Sequence, residues 1–419
     1  MHRGGAEFAE KIEWGNHLEQ TLCELCVSVV NTSSQETRKS RFLFAMTGAG
    51  RQSGGIATAN LNILHALVEL AGQSKAGLAV FSFSEKEGDR PDFLPAWVNF
   101  KPCRGNKLSY SLHLLRAAVR KPIFFFDHVS LALPLLPLAF TGTVKTVIFA
   151  HGSESWSRLR MTSMWSYQCA SLCLTNSHFT LRKMRERISS FNGQACPLGL
   201  PADFVLNSEI PGNSNGTIKL DAADGIIRPL GERFILLTGR MYIPGPHTKE
   251  GQKGHRCLIN VLPDLLNEFP EVQLVFPGPG DDRQNLMELA RRKGVASAVF
   301  FPGFVSLDTL TLLYRNSYAF VMPSRQEGFG LVYLEAMNHG KPCVGCLDQG
   351  AEDIIVPGET GLLIRDPDES VELLGALRTL LRDQELARRL GKKGFERLHG
   401  NFTSHHFRGR FKEKIRSIL

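Results

Sequence analysis

The sequence predicts an α/β protein built from two Rossmann-like domains in succession, facing each other across a cleft. Three observations carry that expectation. At 419 residues the chain exceeds what one hydrophobic core ordinarily serves. Short apolar runs alternate with stretches of helical periodicity twice over, which is the pattern of parallel strands covered by crossover helices. A turn-rich break separates the two series, and ligands bind where strand carboxyl ends face such a cleft.

Residues 1–40 read as an N-terminal appendage, a weakly amphipathic helix around Phe8 to Val30 followed by polar Asn31 to Gln35. In the first domain, 41–205, the expected strands are Phe42–Met46, Leu78–Ser82, Ile123–Phe126, Val144–Ala150 and Leu172–Asn176, with helices over Ile56–Leu70 and Ser109–Val119 between them. Residues 206–230 carry Asn207-Ser208, Pro211 to Gly216 and Asp221 to Gly225, and read as a linker. The second domain, 231–395, repeats the alternation. Its strands are expected at Phe234–Thr238, Val272–Pro277, Ala298–Phe301, Ala319–Pro323, Pro342–Gly345 and Gly361–Ile364, and its helices at His255–Glu268, near Arg283–Lys293 and from Leu331. Residues 396–419 are expected to form a C-terminal helix that packs back on the first domain.

Composition excludes several classes. A hydrophobic content of 43% and a charged content of 21% are those of a globular chain, not a disordered one. No run of eighteen apolar residues occurs, and Val129–Phe140, the longest candidate, is interrupted by Pro134 and Pro137. The first residues lack the apolar centre of a signal peptide, and nine cysteines scatter without an even framework, so a reducing cytoplasm is expected. The pairs Cys23/Cys26 and Cys343/Cys346 lack partners at zinc-finger spacing, and neither metal nor cofactor is expected. The net charge of +8 is uneven: between Lys101 and Arg187 there are 13 Lys or Arg against 3 Asp or Glu. That imbalance points to an anionic partner, a membrane surface or a phosphorylated acceptor, unless it is only a solvated face.

Chemistry concentrates in Pro323-Ser-Arg-Gln-Glu327-Gly-Phe-Gly330-Leu-Val-Tyr-Leu-Glu335-Ala-Met337. A strand ends, a glycine loop turns, and a helix starts near Gly330. The free N–H groups of that first turn, aided by the helix dipole, can hold a phosphate. Glu335 follows Glu327 by eight residues, about two turns. One carboxylate can therefore meet a sugar while the other accepts hydrogen bonds from ribose hydroxyls. Two surface glutamates on an ordinary strand–loop–helix are the plain alternative.

This run resembles glycosyltransferase family 4, and the resemblance continues through Gly340-Lys-Pro-Cys-Val and Gly350-Ala-Glu352-Asp-Ile-Ile to Gly361. It spans roughly residues 41–410. It implies the GT-B architecture and a retaining hexosyl transfer from a nucleoside-diphosphate sugar to a saccharide acceptor. The acceptor is expected to be polyprenyl- or lipid-linked, at the cytoplasmic face of an anionic membrane, with no nucleic acid involved. Gly239-Arg240 and Lys253-Gly254 are similar to the family's cationic pair, whose charges neutralise a leaving diphosphate without a metal. Twelve residues separate Arg240 from Lys253 here, and Pro244-Gly245-Pro246 marks an extra loop. The catalytic residues that the resemblance implies are His151 and Glu327, at the transferred sugar, and Arg240 and Lys253, at the diphosphate. Donor contacts fall to Gly54, Gly55, Val305, Phe329, Gly330, Leu331 and Glu335, and weaker acceptor-side candidates are Asp127 and His128. A GT-B epimerase and a catalytically silent sugar-nucleotide-binding protein remain alternatives.

Overall fold

The computed structural model describes residues 40–419 apart from 50–54, 87, 153–154, 156–158, 214–217, 244–252 and 369. Residues 1–39 of the N-terminal appendage and Gly54 therefore lie outside the described residues. The first series comprises β1 (Ser40–Met46), α1 (Gly55–Gln73), β2 (Gly77–Ser82), β3 (Asn99–Pro102), α2 (Lys107–Ala118) and β4 (Ile123–Phe126). It continues with α3 (Val129–Ala132), α4 (Leu136–Phe140), β5 (Lys145–Ala150), α5 (Met161–Cys169), β6 (Leu172–Thr175), α6 (His178–Arg187) and β7 (Gly193–Ala195). Its seven strands form one sheet of order β3-β2-β1-β4-β5-β6-β7. All neighbours run parallel, with Phe42 opposite Ile123 and Phe44 opposite Phe125.

A short antiparallel hairpin follows, β8 (Lys219–Asp221) and β9 (Ile227–Pro229). The second series contains β10 (Phe234–Leu236), α7 (His255–Leu266), β11 (Gln273–Pro277), α8 (Arg283–Arg292), β12 (Val299–Gly303), α9 (Leu307–Asn316), β13 (Ala319–Val321) and α10 (Leu331–Asn338). Then come β14 (Cys343–Cys346), α11 (Ala351–Ile354), β15 (Gly361–Ile364), α12 (Ser370–Arg382), α13 (Gln384–Asn401) and α14 (Ser404–Ile415). The second sheet has six strands in the order β12-β11-β10-β13-β14-β15, also all parallel. In both sheets the order reverses beside the first strand of the series, the geometry that opens a crevice at the carboxyl ends.

The first sheet is buried on both faces, as parallel sheets are. Phe42, Phe44 and Met46 point to the side covered by α1 and α14, while Leu43 and Ala45 point to the side covered by α2 and α5. The C-terminal helix α14 lies on the first domain: Phe411 sits 5.9 Å from both Phe125 and Phe149, and Lys412 pairs with Glu69 at 2.7 Å.

Strand ends match the apolar runs within a residue or two. Two edge strands were not expected from the sequence, β3 and β7, because edge strands need no full apolar alternation. Within 206–230 the hairpin docks on the second sheet, where Ala223 N donates to Val299 O at 2.8 Å and Ala222 is buried against β12. Three-residue strands carry too little periodicity to be read from sequence.

Candidate functional site

The loop between β13 and α10 is held by close backbone approach. A Cβ on Gly328 would lie 2.1 Å from the His151 carbonyl oxygen, so only glycine lets this loop reach the first domain. Ser177 Oγ donates to Gly328 O at 2.6 Å and Thr180 Oγ1 at 3.3 Å, both from the first turn of α6 and its cap. Gln349 Oε1 accepts from Glu327 N at 2.9 Å, and Gly350 N donates to Glu327 O at 2.8 Å. Gln326, with φ of 64°, is left-handed without being glycine, a strained conformation of the kind that persists where surrounding contacts fix the chain. The loop delivers Gly330 as the left-handed cap of α10, leaving the first-turn N–H groups at the helix start.

Lys253 is brought to this loop by its neighbour. Gly254 has φ of 84°, and a Cβ there would stand 2.4 Å from Pro323 O, so the segment packs flat on the end of β13. Lys253 then forms an ion pair with Glu327, both side chains being mostly shielded. Its aliphatic stem also runs against Gly239 at the end of β10. Arg240, next in sequence, is exposed: it lies over the Tyr242 ring and stands 3.9 Å from Asp281, too loose to hold it. The rest of the extra loop, 244–252, lies outside the described residues.

Glu335 is one wall further along α10. Tyr314 of α9 donates its hydroxyl to Glu335 Oε2 at 2.8 Å and shares a 2.9 Å hydrogen bond with Thr238 Oγ1. Burial holds the Tyr314 phenol well above its ordinary value, so it stays a donor and keeps Glu335 an oriented acceptor. Neither Tyr314 nor Thr238 nor Gln349 was singled out from the sequence. They sit on separate elements and share no local spacing that could reveal them. Phe329 is buried against Phe402, so its side chain serves packing and only its backbone faces the loop. Leu331 and Val305 are half-buried, Val305 following β12 beside exposed Phe304.

Across the seam, His151 ends β5 with its ring stacked on Phe149 at 5.7 Å. Burial, reinforced by nearby His128, pushes its pKa down to about 3, so the imidazole is neutral at ordinary pH. Its carbonyl accepts from Asn176 Nδ2 and touches Gly328. Asp127 is fully buried, and its Oδ2 accepts from Thr47 N at 2.8 Å, Thr47 Oγ1 at 2.5 Å and Asn60 Nδ2 at 2.6 Å. Burial raises its pKa against the pull of those donors, and the carboxylate ties the β1 loop to α1. His128 caps α3, its Nδ1 accepting from Ser130 N at 3.1 Å. Gly55 is exposed at the start of α1.

Beside Thr47 to Ala49, at the carboxyl ends of β1 and β2, a cavity of about 950 Å³ opens, with Glu85, Asp89, Asp92 and Asp203 in its wall. The structure thus brings together Lys253, Glu327 and Gly330, with Gly328 against His151. It places Asp127 in a buried hydrogen-bond knot next to this cavity. Cys343 and Cys346 are buried on β14, their thiols pushed up by burial. Among the described residues, no three His, Cys, Asp or Glu side chains cluster as metal ligands, and no helix is long and apolar enough to cross a membrane.

Residues 243–397 match the family model described as glycosyl transferases group 1. An uncharacterized glycosyltransferase of Methanocaldococcus jannaschii is 38% identical over 139 residues, 33% of this chain and 33% of that protein. A sulfoquinovosyl transferase of Arabidopsis thaliana is 34% identical over 149 residues, covering 35% of this chain and 28% of its own length. A GDP-mannose-dependent phosphatidylinositol monomannoside mannosyltransferase of Mycolicibacterium smegmatis is 30% identical over 172 residues, with 39% and 43% covered. The matched stretch thus spans only about a third of the length of these curated relatives. Among solved structures, Anabaena HepE in complex with UDP superposes with a TM-score of 0.67 at 17% identity, covering 90% of this chain and 100% of that one. A sucrose-phosphate synthase from Thermosynechococcus elongatus gives 0.68 at 18% identity, with 90% and 99% covered. With its two parallel sheets of doubly wound order, the chain has the GT-B fold, and its second domain matches group 1 of the glycosyl transferases.

Proposed function

We propose that this chain is a retaining hexosyltransferase of glycosyltransferase family 4. It takes a nucleoside-diphosphate sugar as donor and a saccharide, polyprenyl- or lipid-linked, as acceptor. The observation that carries the reading is the Lys253–Glu327 pair at the start of α10. In the free protein each charge neutralises the other. When a diphosphate binds, Lys253 and the first-turn N–H groups of α10 take its charge, and Glu327 turns to the sugar hydroxyls. Arg240, held by little else, swings to the same phosphates. Glu335, oriented by Tyr314, accepts from the ribose hydroxyls.

The acceptor enters from the first domain, through the cavity beside Thr47 and Asp127. Its hydroxyl attacks the anomeric carbon on the face from which the diphosphate leaves. The bond from that carbon to the phosphate oxygen breaks, the new glycosidic bond forms, and the acceptor proton passes to the departing phosphate oxygen. Protein groups position the partners and stabilise charge, and no protein nucleophile is required. Neutral His151, at the seam, excludes water and packs beside the sugar. No metal is needed, because cations and helix N–H groups already meet the diphosphate.

The experiment is incubation of purified protein with UDP- and GDP-linked hexoses and a saccharide acceptor, with and without chelator, followed by NMR of the product. Transfer with unchanged anomeric configuration, insensitive to chelator, is expected. Inversion, or activity restored only by a divalent cation, overturns this mechanism. Nucleotide binding without turnover would favour the silent sugar-nucleotide-binding protein.

A further inference from the structure

We propose that the outer layer of the first domain, formed by α2, the 133–140 segment and α5, is a docking surface for an anionic lipid bilayer. All three cover the same face of the first sheet, with Tyr110, Leu114, Leu135 and Tyr167 packed inward. Tyr110 also donates to Leu131 O at 2.8 Å, joining α2 to the segment that includes α3. What these elements turn outward is unusual for a solvated layer. Leu108 is 80% exposed, Phe140 79%, Met161 65%, Trp165 49% and Leu112 38%. Leu108 and Leu112 are one helical turn apart on a stripe that continues to Arg116, and Met161 and Trp165 repeat the spacing on α5. Single exposed apolar residues need no explanation, but five on adjoining elements form a patch that does.

Charge surrounds the patch with one sign. Lys107, Arg116, Arg120, Lys121 and Arg160 are all exposed, and among the described residues none has a carboxylate partner within ion-pair distance. From Lys107 to Arg160 the sequence has two carboxylates, buried Asp127 and Glu154, the latter outside the described residues. Cations around an apolar centre with Trp and Phe fit a membrane interface, where acidic headgroups meet the charges and the rings enter the headgroup boundary. A nucleic acid would use the charges but has no place for Leu108, Leu112 and Met161. This deepens the lipid-linked reading above, and rests on it only for where the acceptor is met.

The test is co-sedimentation of the full chain with vesicles of phosphatidylcholine alone or with phosphatidylglycerol, at low and high salt. Binding to the anionic vesicles only, weakening as salt shortens the screening length, is expected. Arg116→Glu with Arg120→Glu should lower vesicle partitioning at least about tenfold, each cation contributing roughly fivefold. Trp165→Ser with Phe140→Ser should lower it about tenfold while leaving the salt dependence in place. All four positions are exposed, and an unchanged unfolding midpoint shows that the variants fold. Binding indifferent to lipid charge, or unaffected by both pairs of substitutions, overturns the surface. So does retention on heparin without vesicle binding, which would assign the charges to a soluble polyanion. Transfer to a soluble acceptor is measured in parallel: activity without vesicle binding rejects only this surface, and vesicle binding without activity rejects only the transferase reading.

Discussion

The two domains share a fold and differ in how they use charge at the cleft. The second domain presents ion pairs there: Lys253 with Glu327, and Arg325 with Asp366 and with Asp368, the latter at 2.7 Å. The first domain turns buried, neutral His151 to the Gly328 loop, while His178 and Arg182 of α6 pair with Asp353 and Glu352 further along the seam. Glu85, Asp89, Asp92 and Asp203 line the cavity, while the exposed cations Lys107, Arg116, Arg120, Lys121 and Arg160 lie on the outer layer. A diphosphate carries charge that must be matched, and on the proposed reading Lys253 and Arg240 of the second domain supply the matching charge. An acceptor hydroxyl needs shape and exclusion of water, which buried neutral groups supply. On the proposed reading, donor and acceptor therefore belong to opposite domains.

The sharpest way to break this comparison is to remove one charge and one neutral group in turn. Lys253→Ala should lower transfer by about 10²- to 10³-fold, the loss usual for a preorganised charge on a leaving group. His151→Phe, which preserves bulk, should cost less, on the order of tenfold by displacement of the sugar. Initial rates with saturating donor measure both; a larger loss for His151→Phe would reverse the assignment.

Within the second domain the two glutamates can be separated. Glu335→Gln is expected to weaken free nucleoside diphosphate and intact donor alike, about tenfold, through one lost charged hydrogen bond. Glu327→Ala should weaken chiefly the intact donor, and free nucleoside diphosphate should bind as well or better because Lys253 is released. Calorimetric titration of both ligands into both variants reads the split, and parallel losses throughout would erase it.

The seam itself is tested by Gly328→Ala, whose methyl would meet the His151 carbonyl. Destabilisation of about 2–3 kcal/mol is expected, as for overpacking in a core. Denaturant unfolding gives the value; no change would mean that the loop shifts freely and the seam does not position Glu327.

The smallest effects are on pH dependence. Burial holds His151 and His255, one in each domain, near 3 instead of the ordinary 6.5. Below about pH 6.5 the unfolded chain takes up protons that these native rings refuse, so stability falls as pH drops toward 3. His178 behaves oppositely: its hydrogen bond to Asp353 across the seam raises its pKa. The stability it supplies is complete below about 6.5 and is lost as pH rises through its folded value. His255→Phe should therefore flatten the acid slope, while His178→Ala should cost stability at pH 6 and little at pH 9. Unfolding midpoints at both pH values check the signs.

Much of this was legible in sequence because it is local. Parallel strands buried on both faces read as apolar runs, so all eleven expected runs recur as strands, with ends shifted by at most two residues. The Glu327 to Glu335 run announced its own strand, loop and helix, since turn and cap chemistry acts over a few residues. Hairpin β8–β9 escaped because its burial depends on β12, some seventy residues on.

What only the tertiary structure decided is which groups meet. Sequence spacing put Lys253 and Glu327 on separate loops, and their pairing follows from Gly254 lying flat on Pro323. Tyr314 gained its hold on Glu335 from the packing of α9 beside α10, and Asp127 lost its freedom to Thr47 and Asn60. The exposed patch on α2 and α5 likewise shows which apolar residues the core left over. Periodicity fixes the element a residue belongs to through neighbours along the chain. Partners, burial and proton affinity depend on neighbours in space, which distant strands bring together only when the sheets close.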